Sequence, residues 1–165
     1  MTEGPTERRA AVLTVSDSVA AGTTVDSSGP AASERLRDSG FAVVEMRTVP
    51  DGIESVAAAL IAMADDVDLI VTTGGTGLSP RDQTPEGTLQ VVDRMVPGLS
   101  EAMRHETYAT VPFGKLSRGV CGLRGSCLIV NLPGSVKAVE EGLDVIADVL
   151  GHAVDIATGN FGDHR

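Results

Sequence analysis

Arg81 and Asp82 stand together in the segment Gly74-Gly75-Thr76-Gly77-Leu78-Ser79-Pro80-Arg81-Asp82-Gln83-Thr84-Pro85-Glu86. Glycines directly after a strand let the backbone approach a ligand, and successive N–H groups can form an anion nest. An arginine can grip a phosphate through two parallel hydrogen bonds. An aspartate can hold Mg²⁺, which is usually bound by one or two carboxylates together with substrate phosphates. Thr84-Pro85 has the composition of a helix start, whose positive end would lie near the same place. The chemistry so indicated is of the phosphoryl type. An ordinary turn with a local ion pair fits the same residues, and neither the dinucleotide fingerprint nor the Walker pattern is present.

A second carboxylate, Asp51, follows an apolar run in Val49-Pro50-Asp51-Gly52. Its alternative is a helix cap or turn residue. With Asp82 it makes a candidate site for Mg²⁺ and phosphate, if the fold brings the two together. A third segment, Asn131-Leu132-Pro133-Gly134-Ser135-Val136-Lys137, ends another apolar run. Ser135 can cap the helix that follows. Lys137 in its first turn opposes the helix dipole, which makes sense beside a bound anion. Ser16-Asp17-Ser18 is the last such segment; small hydroxyl residues can hold a ligand there, or simply form a turn.

These segments need a scaffold that gathers strand ends. Ala10 to Ser18, Phe41 to Val49 and Asp68 to Thr73 read as strands, the last so continuously apolar that both faces should be covered. Helices are expected from Pro30 to Ser39, along the Ile53, Val56, Leu60, Met63 stripe, from Thr84 to about Met95 and from Leu99 to Thr107. Tyr108 to Ser117 reads as a loop. Gly119-Val120-Cys121-Gly122-Leu123 and Ser126 to Leu132 predict a hairpin turning at Arg124-Gly125. Val136 to Leu150 predicts a long helix, and His152 to Thr158 a separate last one. Alternating strands and helices imply an α/β fold with a mainly parallel sheet between helices, a three-layer sandwich carrying a small β-hairpin. In open sheets of this kind ligands bind at the carboxyl ends of strands. One domain is expected over residues 10–158, between a flexible N-terminus of residues 1–9 and a polar tail of residues 159–165.

Composition narrows the partners. The 165 residues carry a formal charge of −10, which disfavours nucleic acid and anionic membranes. Arg81, Lys115, Arg118, Arg124 and Lys137 still concentrate in the second half, enough for one small anion. No Trp, one Tyr and three Phe leave the core to aliphatic side chains. No apolar stretch reaches the ~20 residues of a membrane span, and the first residues lack a signal-peptide core, so a cytoplasmic protein is expected. Cys121 and Cys127 lie in or beside apolar runs and read as buried hydrophobes. His105, His152 and His164 have no ligand spacing, and no protein nucleophile is evident.

Taken together, Thr72 to Gly77, Arg81 to Glu86, Leu116-Ser117-Arg118, and Asn131 to Ser135 with Lys137 resemble the MogA/MoaB family of molybdenum-cofactor biosynthesis proteins. The resemblance runs from about Ala10 to Ala157. It implies a MogA-like fold, a homotrimer, and adenylylation of molybdopterin by Mg-ATP with release of pyrophosphate. Under it Asp51 and Asp82 are the catalytic, Mg²⁺-holding residues. Ser16, Gly74, Gly75, Thr76, Gly77, Arg81, Ser117, Arg118, Asn131, Pro133, Gly134, Ser135 and Lys137 become nucleotide or pterin contacts. It also leaves room for hand-over to a molybdate-insertion enzyme. The alternatives are a non-catalytic molybdopterin-binding paralogue or scaffold, or a molybdate-insertion domain. Two positions depart from the family pattern: Val136 stands where Pro is common, and Gly87 where Ala is common. Gly87 is expected to cost its helix roughly 0.5–1 kcal/mol relative to Ala.

Overall fold

The computed structural model describes residues 6–108 and 110–160. The chain runs β1 (Arg8–Val15), α1 (Asp17–Ala20), α2 (Ser28–Asp38), β2 (Phe41–Val49), α3 (Ile53–Ala64), β3 (Leu69–Thr73) and α4 (Thr84–Leu89). It continues with β4 (Arg94–Met95), α5 (Pro97–Tyr108), a 3₁₀ turn (Pro112–Leu116), β5 (Cys121–Arg124), β6 (Cys127–Leu132) and α6 (Val136–Thr158). The six strands form one sheet in the order β2-β1-β3-β6-β5-β4. β2, β1, β3 and β6 are parallel, while β5 and β4 are antiparallel additions at one edge. The expected α/β sandwich with its hairpin is therefore present. Residues 1–5 and 161–165, including His164, lie outside the described residues. β1 starts at Arg8, two residues inside the segment expected to be flexible.

Strand alternation sends successive residues to opposite faces. Ala10 and Val12, Leu69 and Val71, and Leu128 and Val130 pack into one buried cluster with α2, α5 and α6. Ala11 and Leu13, Ile70 and Ile129 pack into a second cluster with α3. Both faces are dry, which explains why these strands read as unbroken apolar runs. On α3 three of the four stripe residues, Val56, Leu60 and Met63, are fully enclosed, and Ile53 at its start is half-buried. Each enclosed side chain contributes about 1.5–3 kcal/mol.

Three expected elements change. The helix from Thr84 ends at Leu89 rather than near Met95. Residues beyond it are drawn to the sheet edge: the Asp93 amide donates to the Leu123 carbonyl at 2.7 Å and the Val96 amide to the Cys121 carbonyl at 2.8 Å. The helix expected from Leu99 starts two residues earlier, at Pro97, where a missing N–H costs nothing. The two expected C-terminal helices are one, α6, which passes through Gly151 without a break. A Cβ at Gly151 would lie 2.9 Å from the Arg8 guanidinium. That guanidinium grips Asp155, one turn further on, through two bonds of 2.8 and 2.7 Å. The glycine thus makes room for a strand-to-helix clamp, and the helix continues past it.

Candidate active site

The loops after β1, β3 and β6 meet at the carboxyl ends of these neighbouring strands. Their approach is closest at the glycines. Gly74 has φ +91° and Gly75 φ +67°, a region that disfavours side chains. A Cβ on Gly74 would overlap the Val15 carbonyl oxygen, and a Cβ on Gly134 would lie 3.3 Å from the Gly74 Cα. A Cβ on Gly75 would overlap the Thr84 hydroxyl and lie 3.2 Å from Asp51 Oδ1. The Thr84 hydroxyl instead donates to the Gly74 carbonyl at 2.9 Å, and the Thr84 amide to the Gly75 carbonyl at 3.0 Å. The glycine loop is thereby pinned to the start of α4, as its composition suggested.

On one side of this loop lies a cavity of about 650 Å³. Gly74, Gly75, Thr76, Gly77, Asp82, Ser117, Asn131, Pro133, Gly134 and Ser135 all contribute to its wall. The opposite wall comes from α5 and the 3₁₀ turn, through Met103, Arg104, Thr107, Phe113 and Leu116. That wall was not legible in the sequence. Its residues fall partly on an amphipathic helix and partly in the segment read only as a loop. Phe113 is 75% exposed, an apolar group that lines the cavity rather than the core.

On the other side lies an acidic shelf. Asp51 Oδ2 accepts the Asp17 amide at 2.9 Å, and Asp17 Oδ1 accepts the Asp51 amide at 3.1 Å. This reciprocal pair joins the end of β2 to the start of α1. Arg81 closes it, donating from Nε and Nη2 to the Asp17 carboxylate at 3.0 Å each and from Nη2 to the Asp51 carbonyl at 2.8 Å. Hydrogen bonds from Arg81 hold the Asp17 carboxyl below its ordinary range. Burial, with the nearby Asp17 and Asp82 charges as lesser causes, pushes Asp51 up. Asp17 belongs to a segment singled out in the sequence, yet its own role there was not. An aspartate at a strand end beside a capping serine was the available signal.

Asp82 bridges the two sides. Its Oδ2 accepts the Ser79 amide at 3.0 Å, and a Cβ on Gly77 would lie 2.9 Å from the same oxygen. Both predicted carboxylates therefore lie against the backbone of one glycine loop. Two oxygen ligands on such a loop suit Mg²⁺ shared with phosphates; among the described residues no cluster of three or more His, Cys, Asp or Glu could cage an ion unaided.

Other predicted residues have protein partners. Ser16 caps the four-residue α1 by accepting the Val19 amide at 3.3 Å. Ser135 caps α6 by accepting the Ala138 amide at 3.2 Å. The buried Asn131 amide donates to Thr72 and Thr88, both at 3.0 Å, and accepts the Val120 amide at 3.2 Å. Its side chain knits β3, α4 and the approach to β5, so it shapes the wall from within. Lys137 stands outside the cavity wall, 75% exposed, with Glu141 at 3.8 Å. Arg118 sits beneath the loop rather than in the cavity. Cys121 and Cys127 are buried as expected, and burial pushes both thiols up to about 12.

An open α/β sheet whose glycine loop, paired carboxylates and heterocycle-sized cavity share one crevice is a small-molecule site at a topological switch point. The chain matches a family described as "Probable molybdopterin binding domain" over residues 11–152. It is 39% identical to a molybdopterin adenylyltransferase of Helicobacter pylori, an alignment covering 91% of this chain and 88% of that protein. Among solved structures it is similar to the molybdopterin biosynthesis Mog protein of Mycobacterium ulcerans, with TM-score 0.87, 47% identity and 93% and 99% of the two chains covered. It is also similar to MoaB of Thermus thermophilus, a molybdopterin biosynthesis enzyme, with TM-score 0.87, 45% identity and coverage of 92% and 97%. The chain belongs to the molybdopterin-binding family of the MogA and MoaB proteins.

Proposed function

We propose that this protein adenylylates molybdopterin, joining the terminal phosphate of the pterin to the adenylyl group of ATP and releasing pyrophosphate. The observation that carries this reading is the placement of Asp51 and Asp82 against a single glycine loop that itself walls the cavity. The relatives named as adenylyltransferases support it.

An oxygen of the pterin phosphate attacks the α-phosphorus of ATP, a new P–O bond forms, and the bond to the β-phosphate bridging oxygen breaks with pyrophosphate leaving. The attacking phosphate is ionised at neutral pH, so no general base is required. Two anions must approach each other, and charge neutralisation with positioning then dominates the barrier. Asp51 and Asp82 would hold Mg²⁺, which neutralises phosphate charge and assists the leaving group when bound. Asp51 Oδ1 and the second oxygen of Asp82 have no hydrogen-bond donor among the described residues and face this role. The N–H groups of the glycine loop and the start of α6 offer the protein's own positive ends to anions. The apolar wall of Met103, Phe113 and Leu116 excludes water from a ring system.

The test is to mix the protein with molybdopterin, ATP and Mg²⁺ and to measure pyrophosphate and adenylylated pterin together. Both are expected, and Asp82→Asn is expected to bind pterin while losing turnover by at least about 10²-fold. Full activity in that variant removes the metal-carboxylate role. Tight pterin binding by the unaltered protein without pyrophosphate leaves a cofactor-binding paralogue or scaffold instead.

A further inference from the structure

Arg118 was expected to contact a substrate phosphate, but its donors point elsewhere. Nε donates to the Gly77 carbonyl at 2.8 Å and Nη2 to the Asp82 carbonyl at 2.6 Å. Nη1 donates to the Glu86 carboxylate, and Nη2 reaches its other oxygen at 3.5 Å. The Arg118 amide adds a bond to the Thr76 carbonyl at 2.9 Å. One side chain thus spans the loop from Gly77 to Asp82 and anchors it on Glu86, in the first turn of α4. The guanidinium is not part of the cavity wall.

The loop it spans is also closed on itself. The Asp82 amide donates to the Ser79 carbonyl at 2.9 Å, and Asp82 Oδ2 accepts the Ser79 amide at 3.0 Å. Such a turn has few apolar contacts of its own: Leu78 is 65% exposed, and Ser79 to Arg81 are exposed too. Its position relative to Asp51 therefore depends on what ties it down. Arg81 does so at the shelf side, and Arg118 from beneath the loop. The planar fork of an arginine can serve two carbonyls and a carboxylate at once, which the single ammonium of lysine cannot. Glu86 fixes the plane of that fork.

We propose that Arg118 and Glu86 form a positioning pair that sets Asp82 for the reaction, and that Arg118 is not a ligand of a substrate phosphate. The proposal rests on the adenylyltransferase reading for its kinetic consequence, though not for its structural one. Glu86 is the informative partner. The Glu86 carboxylate repels a phosphate and is paired with Arg118, so a loss on changing it points to Arg118 and the loop rather than to a lost phosphate contact.

The experiment compares Arg118→Lys, Glu86→Gln and the double variant with the unaltered protein. Melting temperatures first establish that each is folded. Hydrogen exchange of the ligand-free proteins then reads the Ser79 and Asp82 amides, and adenylyl transfer is measured over a range of ATP and molybdopterin concentrations. Both single variants are expected to exchange these amides faster. Both should lower kcat, by up to about 10²-fold if Asp82 shifts by 1 Å, with KM for either substrate changed less than about threefold. The double variant should be no worse than Arg118→Lys alone, because paired residues are not additive. A rise in KM or Kd confined to Arg118→Lys, steepened by salt and absent in Glu86→Gln, overturns the proposal in favour of a phosphate contact. Unchanged exchange in both variants overturns it as well. If the unaltered protein transfers no adenylyl group, the functional reading fails, while the exchange data still decide the positioning pair.

Discussion

Asp51 and Asp82 were chosen as residues by type and by neighbourhood, and the fold brings both to one loop. What type could not convey was occupancy. Asn131, Arg81 and Arg118 looked like ligand groups because polar and cationic side chains at strand ends often are. In the folded chain each is engaged by protein acceptors, and a fully paired buried amide such as Asn131 acts as a structural tie. Lys137 is the contrasting case. Its side chain is 75% exposed and opposes the α6 dipole, which offsets its weak i,i+4 pairing with Glu141. Lys137→Ala is accordingly expected to leave the melting temperature unchanged or slightly raised. If it faces an anion near the start of α6, the same variant will bind ATP or molybdopterin several-fold more weakly, with a shallower salt dependence. Calorimetry at two ionic strengths checks both, and unaltered affinity removes Lys137 from the site.

Elements follow their local signals until a neighbour intervenes. The α3 stripe and the β2 boundaries agree with periodicity because nothing competes with it. The helix after Thr84 stops early because the sheet edge offers its chain better partners. Gly87 shows the same principle in reverse. Helix propensity favours Ala there, but a Cβ at Gly87 would lie 2.8 Å from Val56 Cβ and 3.0 Å from the Ile53 carbonyl. The glycine is what lets α4 rest closely on α3, so its propensity cost is offset by packing. Gly87→Ala is therefore expected to destabilise, since overpacking costs about 1–3 kcal/mol against a propensity gain of about 0.5–1 kcal/mol. Adding Val56→Ala is not expected to recover the loss, because the closest approach is to the Cβ that alanine keeps and the change empties a buried site. Denaturant unfolding of the two variants measures this; a more stable Gly87→Ala protein contradicts it.

At the scale of the molecule, ion pairs tie distant segments rather than decorate one surface. Arg8 with Asp155 joins the first strand to the last helix, and Arg118 with Glu86 joins the approach to β5 to α4. These pairs, and Arg81 with Asp17, hold Asp155, Glu86 and Asp17 below their ordinary values of 3.8, 4.5 and 3.8. A depressed carboxyl contributes stability above its unfolded value and loses it as pH falls through its folded one. Asp51 works in the opposite sense, since its raised value favours the protonated folded form. Three such groups against one predict a melting temperature that is level above about pH 5 and falls as acid is added below about pH 4.5. Glu86→Gln and Asp155→Asn should each flatten that fall. Scanning calorimetry between about pH 3 and 7 tests it, and a melting temperature that rises below about pH 4.5 would count against these pairings.

The sequence by itself determined the parallel strands, the hairpin and the main helices, though not α1 or β4, together with the covered faces of the sheet, the glycine loop and the two candidate carboxylates. Each of these is written in local periodicity or in a residue type with a narrow physical use. The tertiary structure alone decided which polar groups face protein. It also decided that Asp17 joins Asp51, that α5 and Phe113 wall the cavity, and that Gly87 and Gly151 are spaces kept for Val56 and Arg8. Those outcomes depend on contacts between residues far apart in the chain, and a local pattern carries no record of its distant neighbour.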